Sequence, residues 1–210
     1  MLSESDRARV RAAVDKAEDG LAAEIVPCVF AQSSPYPETV WAGACAAVGA
    51  ACGALFLTDV FHPLWLPLST LILFVPAAGL AGAALGRWCK PFKRLIIGPH
   101  RLGDAVQRRA KEVFFDRGIS RTKSRDGVLI FASLLERRVV ILADEALRGK
   151  VKPQAWDPAI AAFTVAASEG RVADGLAAAV EKTAEALRAA GAIGAHGAEL
   201  SDEPVDEDSK

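Results

Sequence analysis

A small α-β-α sandwich with a mixed sheet, interrupted by a transmembrane α-helical hairpin, is the fold class this sequence predicts. Three observations carry it. From Thr39 to Gly86 the only formally charged residue is Asp59. On either side of that run, three short apolar segments have the length and composition of buried strands. Helical patterns precede, separate and follow those segments, so helices are available to cover both faces of a sheet.

Ser3 and Asp6 are spaced as an acidic capping box, and Val10, Ala13, Val14, Ala17 and Leu21 follow at helical spacing, which predicts a first helix ending near Gly20. Glu24 to Phe30 then reads as a buried strand. Pro27 within it lacks a backbone donor and points to a sheet edge or a bulge. The segment Ser33-Ser34-Pro35-Tyr36-Pro37 leads into the apolar run.

Thr39–Thr58 and Trp65–Gly86 are each long enough for a helix of about 30 Å, the thickness of a bilayer's hydrocarbon core. A core helix of a soluble protein rarely runs that far without a charge on its outer face. Asp59 to Pro63 forms the turn, and Trp41 and Trp65 mark the starting ends, where amphipathic rings favour the headgroup level. Arg87, Lys90, Lys93, Arg94 and Arg101 follow the second span, whereas the turn has no Lys or Arg. This asymmetry predicts both termini and the soluble domain on the cytoplasmic side. The first forty residues are charged and carry no signal-peptide core. The four cysteines, two of them inside the first span, show neither zinc spacing nor a disulfide framework and read as free thiols.

Beyond the hairpin, Leu102, Val106, Ala110, Val113 and Phe114 line one face of a helix that stops at Gly118. Gly127–Leu134 and Arg138–Ala143 are two strands joined by a turn at Leu135-Glu136-Arg137. Two helices follow, Gln154 to about Ser168 with Trp156, Ile160, Phe163 and Ala167 inward, and Arg171 to Ala190 with Val172, Leu176, Val180 and Leu187 inward. Gly170 separates them. From Gly191 onward periodicity is lost, and a disordered tail is expected, acidic from Glu199 to Lys210. The expected division is therefore an α/β domain from 1–38 and 88–198, a hairpin at 39–86 and a tail at 199–210. Strands one and two, joined by a crossover, should pair in parallel, and strands two and three as an antiparallel hairpin.

A net charge of −1 hides strong polarity, since residues 87–125 hold twelve Lys/Arg and three acids. Cations this close to a span set topology and meet anionic headgroups, at about 1 kcal/mol each. No recognition motif or aromatic platform accompanies them, so no nucleic-acid partner is expected.

Ser3-Glu4-Ser5-Asp6, Ala23-Glu24-Ile25-Val26, Ala110 to Phe114 before Thr122, Asp126 to Ile130, Glu136-Arg137-Arg138-Val139 and Ala143-Asp144 together resemble the TPM domain family. Within it the chain is similar to the bacterial membrane-protein branch with two spans embedded in the domain, to which Trp156 and Glu199 to Pro204 also correspond. The family includes a thylakoid acid phosphatase, photosystem II repair factors and a modulator of acetylcholine receptors. The resemblance therefore implies either a binding and assembly role or phosphatase chemistry.

Strand directions locate the candidate sites. Glu24, Asp126 and Asp144, with Glu145 beside them, gather at one end of the sheet, where carboxylates from several strands suit a hard divalent cation such as calcium or magnesium. The same residues also suit plain structural roles, Asp126 before Gly127 in a turn and Asp144 as a helix cap. The opposite end gathers Gln32, Ser33, Ser34, Glu136, Arg137 and Arg138, and faces the bilayer because the first strand runs straight into the hairpin. Arg137 and Arg138 are candidates for a phosphate or lipid headgroup, or are solvated turn residues. Gly82 and Gly86 are spaced to pack the hairpin against the region of Ala42 to Ala47, while Gly49 and Gly53 are free to meet another protein. His62, His100 and His196 are too far apart to form one site. The reading that follows is a membrane-anchored binding or assembly module whose partners are the bilayer and a membrane protein or second copy. A metal-assisted phosphatase is the alternative.

Overall fold

The structure, a computed structural model, describes residues 2–61, 67–122, 124–194 and 204–206. It divides into two compact units, Met1–Ser34 with Gly103–Lys210, and Pro35–Leu102.

The first unit is the α/β domain. Helix α1 (Glu4–Glu18) begins with the capping box: the Ser3 hydroxyl accepts the Asp6 N–H at 3.2 Å, and the Asp6 carboxylate accepts the Ser3 N–H at 3.1 Å. Strand β1 (Glu24–Phe30) lies between β2 (Gly127–Ser133), parallel to it, and the two-residue β4 (Val205–Asp206), also parallel. Strand β3 (Arg138–Ala143) pairs antiparallel with β2 and forms the outer edge. All seven residues of β1 and all seven of β2 are buried, as expected for strands covered on both faces.

The period of two sorts these strands into two cores. Ile25, Val29, Val128, Ile130 and Ala132 pack with Val10 and Val14 of α1, with Phe163 of α7 (Asp157–Ser168) and with Leu176, Val180 and Leu187 of α8 (Val172–Ala189). Val26, Cys28, Phe30, Leu129 and Phe131 pack on the other side against Val106, Ala110, Val113 and Phe114 of α5 (Pro99–Asp116). The Phe30 and Phe131 rings stack there at 5.2 Å between centroids. Gly127 opens β2 under a 3₁₀ turn at Ile119–Arg121, where any Cβ would lie 2.5 Å from the Ile119 carbonyl oxygen. The predicted α-β-α sandwich with a mixed sheet is the fold.

Three details differ from expectation. Pro27 sits in a strand with neighbours on both sides, but pairing with β4 starts at Cys28, so the missing donor falls outside that ladder. Pro153–Trp156 is a 3₁₀ turn, so α7 starts at Asp157 and not at Gln154, with Pro at its first turn where no donor is required. The segment after Gly191 is not wholly without structure: Ile193 bridges Leu21, Ala192 is buried, and Val205–Asp206 extends the sheet as β4. Residues 195–203 and 207–210, which hold most of the acidic tail and His196, lie outside the described residues.

The second unit consists of α2 (Glu38–Phe61), α3 (Leu68–Trp88) and the short α4 (Lys90–Ile97), followed by the start of α5. Two of these helices, Glu38–Phe61 and Thr70–Trp88, are long and apolar enough to cross a membrane. Phe56, Leu57, Phe61, Ile72, Leu73 and Leu80 are exposed on them, the reverse of a soluble core helix. Of the expected turn at Asp59–Pro63, residues 59–61 belong to α2; the rest of it, with His62 and with Trp65, lies outside the described residues. Helix α4 is separated from α5 by Gly98, whose φ of 75° ends it.

Candidate functional site

Glu24 stands opposite Gly127 in the β1–β2 register, Asp126 precedes Gly127, and the Asp144 N–H donates to the Gly127 carbonyl at 2.9 Å. Strand direction therefore gathers these three backbone positions at one end of the sheet, and all three side chains are buried. Each acid has a distinct setting. Asp126 Oδ1 accepts the Thr122 hydroxyl, whose oxygen accepts the Asp126 N–H, both at 3.3 Å. Asp144 caps the four-residue helix α6 (Glu145–Arg148) by accepting the Glu145 N–H at 2.8 Å, while its other oxygen, Oδ2, is buried without a hydrogen bond. Glu145 is exposed and pairs with Arg125 at 3.3 Å.

Alternation along the strands explains why backbone proximity does not become a cage. Counting from the two cores, Glu24 falls in phase with Val26 and Cys28, and Asp144 with Leu142, whereas Asp126 falls in phase with Val128 on the opposite face. Among the described residues no three His, Cys, Asp or Glu side chains converge to hold a metal ion.

The other end of the sheet is tied by a closed polar ring. Buried Glu136 accepts the Ser33 N–H at 2.9 Å and the Ser133 hydroxyl in a short contact, while the Ser33 hydroxyl donates to Ser133 Oγ at 2.9 Å. Leu134 and Leu135 donate to the Phe30 and Ala31 carbonyls at 3.0 and 2.9 Å, extending the β1–β2 pairing into the turn. Ser33 and Glu136 thus meet at the end of the sheet where strand direction places them. Ser133 is the addition, and its signal in the sequence is a lone hydroxyl closing the run Val128 to Ala132. Arg137 and Arg138 are exposed. Arg137 occupies the left-handed region with φ 52°, and the Arg138 guanidinium lies over Gly103, its Nη1 3.3 Å from the place of a Cβ there. Arg109 stacks over the Phe30 ring at 5.3 Å. Gln32 and Ser34 are half-buried.

Within the hairpin unit, α2 and α3 meet through backbone. A Cβ on Gly43 or Gly82 would strike the other's carbonyl oxygen, and one on Gly86 would strike that of Thr39. The Thr39 hydroxyl donates to Gly86 O at 2.9 Å. Gly49 and Gly53 face open space. Glu38 pairs with Arg101 at 2.7 Å. Lys93 of α4 is buried, and that burial, with Arg87 adding to it, lowers its pKa.

Two comparisons bear on this architecture. The TPM domain model matches residues 96–186. The NMR structure of BA42 protein from the psychrophilic bacterium Bizionia argentinensis superposes with a TM-score of 0.58 at 17% identity, over 98% of this chain and 95% of that one. The likeness is one of fold. It takes in α1 and β1, which precede the matched TPM segment. No curated protein matches the chain.

Proposed function

We propose that this TPM-type α/β domain is a membrane-anchored assembly module. The α2–α3 hairpin lodges it in a bacterial cytoplasmic membrane, and the α/β domain engages another membrane protein, or a second copy, at the cytoplasmic face. One observation carries the reading: two long apolar helices pack on each other through glycine backbone and leave their large apolar side chains exposed. The cations after α3 and their absence from residues 59–63 support the orientation. The polar groups at both sheet ends support a binding role over a catalytic one, since Glu136, Asp126 and Asp144 each hold a turn or cap. Crosslinking in native membranes followed by affinity capture tests it: a recurrent partner or a homo-oligomer is expected, and recovery of the monomer alone overturns it.

A second reading, phosphoester hydrolysis assisted by calcium or magnesium, draws on the buried, unbonded Oδ2 of Asp144. The donor set around it does not fit a cation, because Glu145 is turned to solvent and Asp126 is bound to Thr122. Calorimetric titration with either ion tests it; heat that vanishes in the Asp126→Ala, Asp144→Ala double variant would revive it.

A further inference from the structure

Strand β3 has β2 on one side and no strand on the other among the described residues. Its sequence from Val139 to Ala143 is uncharged and apolar, without the lysines, prolines or bulges that usually blunt an edge. The bond from the Asp144 N–H to Gly127 O fixes the phase of the β2–β3 ladder. In an antiparallel pair alternate residues address the partner, so Arg138, Val140 and Leu142 face β2, while the N–H and C=O groups of Val139, Ile141 and Ala143 face outward. Those three residues form a row of donors and acceptors at the repeat of an extended peptide.

The Ile141 and Ala143 end of that row is the floor of a groove. A cavity of about 540 Å³ runs beside Ile141, Leu142 and Ala143, walled on one side by Phe114 and Phe115 of α5 and on the other by Pro153 and Trp156. Phe115 is 61% exposed at its rim. Lys111 and Arg148 are the charged residues lining it, and no acid does. A strand added here would have backbone bonds to β3 and apolar walls for alternate side chains. Cations would stand beside its remaining side chains.

We infer that the β3 edge is a docking surface for an extended acidic peptide of a partner protein, which adds to the sheet as a further strand beside Ile141. The charge selects this occupant. A second copy paired edge to edge would bring Lys111 and Arg148 toward their own counterparts, whereas Glu or Asp at alternate positions would meet them with opposite charge. The chain's own described tail strand pairs at the far side of β1 and leaves this edge open. The inference rests on the assembly reading above, and names the surface and the chemistry of the partner.

The test uses the full chain in nanodiscs and two synthetic peptides, one alternating Glu with Val and the other Lys with Val. Amide hydrogen exchange at Val139, Ile141 and Ala143 is expected to slow by about tenfold or more with the acidic peptide and to stay unchanged with the basic one. Ile141→Pro removes an outward donor that β2 does not use, and should abolish the protection, with a lower unfolding midpoint from the packing its side chain gives up. Should that variant fail to fold, Lys111→Glu with Arg148→Glu supplies the same loss without touching the backbone. Three results would each overturn the inference: no protection by the acidic peptide, equal protection by both peptides, or protection that grows with protein concentration in the absence of peptide. A partner captured equally by parent and variants sinks this surface and leaves the assembly reading standing. Peptide protection without any captured partner does the reverse.

Discussion

The Thr39 hydroxyl donates to the Gly86 carbonyl oxygen at 2.9 Å, joining the first turn of α2 to the last turn of α3. The same single O–H is shared with Tyr36 O at 2.8 Å, so one side chain holds the chain where it enters the hairpin and where it leaves. Thr39→Val keeps the shape and removes both bonds. In a membrane setting the loss should be about 1 kcal/mol, read as a lower unfolding midpoint in detergent.

Glycine contacts in the same unit give a sharper contrast. Gly82→Ala and Gly86→Ala place a methyl against backbone that cannot retreat without separating the helices, and should each destabilise the hairpin by about 1–3 kcal/mol. Gly49→Ala and Gly53→Ala meet nothing within 4 Å and should leave the isolated protein unaffected or slightly firmer. If they also weaken self-association in crosslinking, the open face of α2 is in use.

At the sheet end, Glu136→Ala leaves the Ser33 N–H and the Ser133 hydroxyl without their acceptor in a buried place. A loss of about 2–3 kcal/mol is expected in chemical unfolding, against little change for Arg137→Gly, whose backbone already sits where glycine is at ease.

Two groups have lowered pKa values, and each adds stability as pH rises, Asp6 in an acid window and Lys93 in an alkaline one. Hydrogen bonds from the Ser3 hydroxyl and N–H hold the Asp6 carboxyl below its ordinary value of 3.8, so their stabilisation is complete above that value and fades as pH falls through the lower folded one. Asp6→Asn should flatten the stability profile in that acid window. For Lys93, burial lowers the pKa, so its charge is a cost at neutral pH, relieved as pH climbs through the folded value toward 10.5. Lys93→Met should raise the unfolding midpoint at pH 7 and erase that alkaline gain.

Orientation is checked by labelling. With native cysteines replaced, a cysteine at Val60 should react with a membrane-impermeant thiol reagent in intact cells, and one at Ser201 only after the cells are opened. The reverse pattern would put the α/β domain outside.

Periodicity and strand direction made much of this fold legible. Ile25 and Val29 against Val26 and Cys28 already imply a strand buried on both faces, and the Leu135–Arg137 turn implies an antiparallel β3. Two things were beyond reach. Residues just past a strand end, such as Asp126, owe their partners to the neighbouring loop, here Thr122, which no period predicts. Strand direction puts Ser33 and Glu136 at one end of the sheet, but their hydrogen bond, across 103 residues, follows from nothing local in either segment. Helix α4 was hidden for a related reason: its cations read as topology signals, and the break at Gly98 is set by a backbone angle.

The parallel pairing of β1 with β2 also sets a schedule for synthesis. At about 5–20 residues per second, a ribosome needs roughly 5–20 s to make the 103 residues between Ser33 and its partner Glu136. Throughout that interval β1, apolar from Ile25 to Phe30, has no partner strand. The hairpin shortens the search that follows, because once Thr39 and Gly86 are joined the intervening residues no longer count as free loop. Roughly halving the loop lowers the entropic cost of closure by about 0.6 kcal/mol. Closure of the α2–α3 hairpin is thereby the first folding step of a chain whose α/β core is assembled from segments on either side of it.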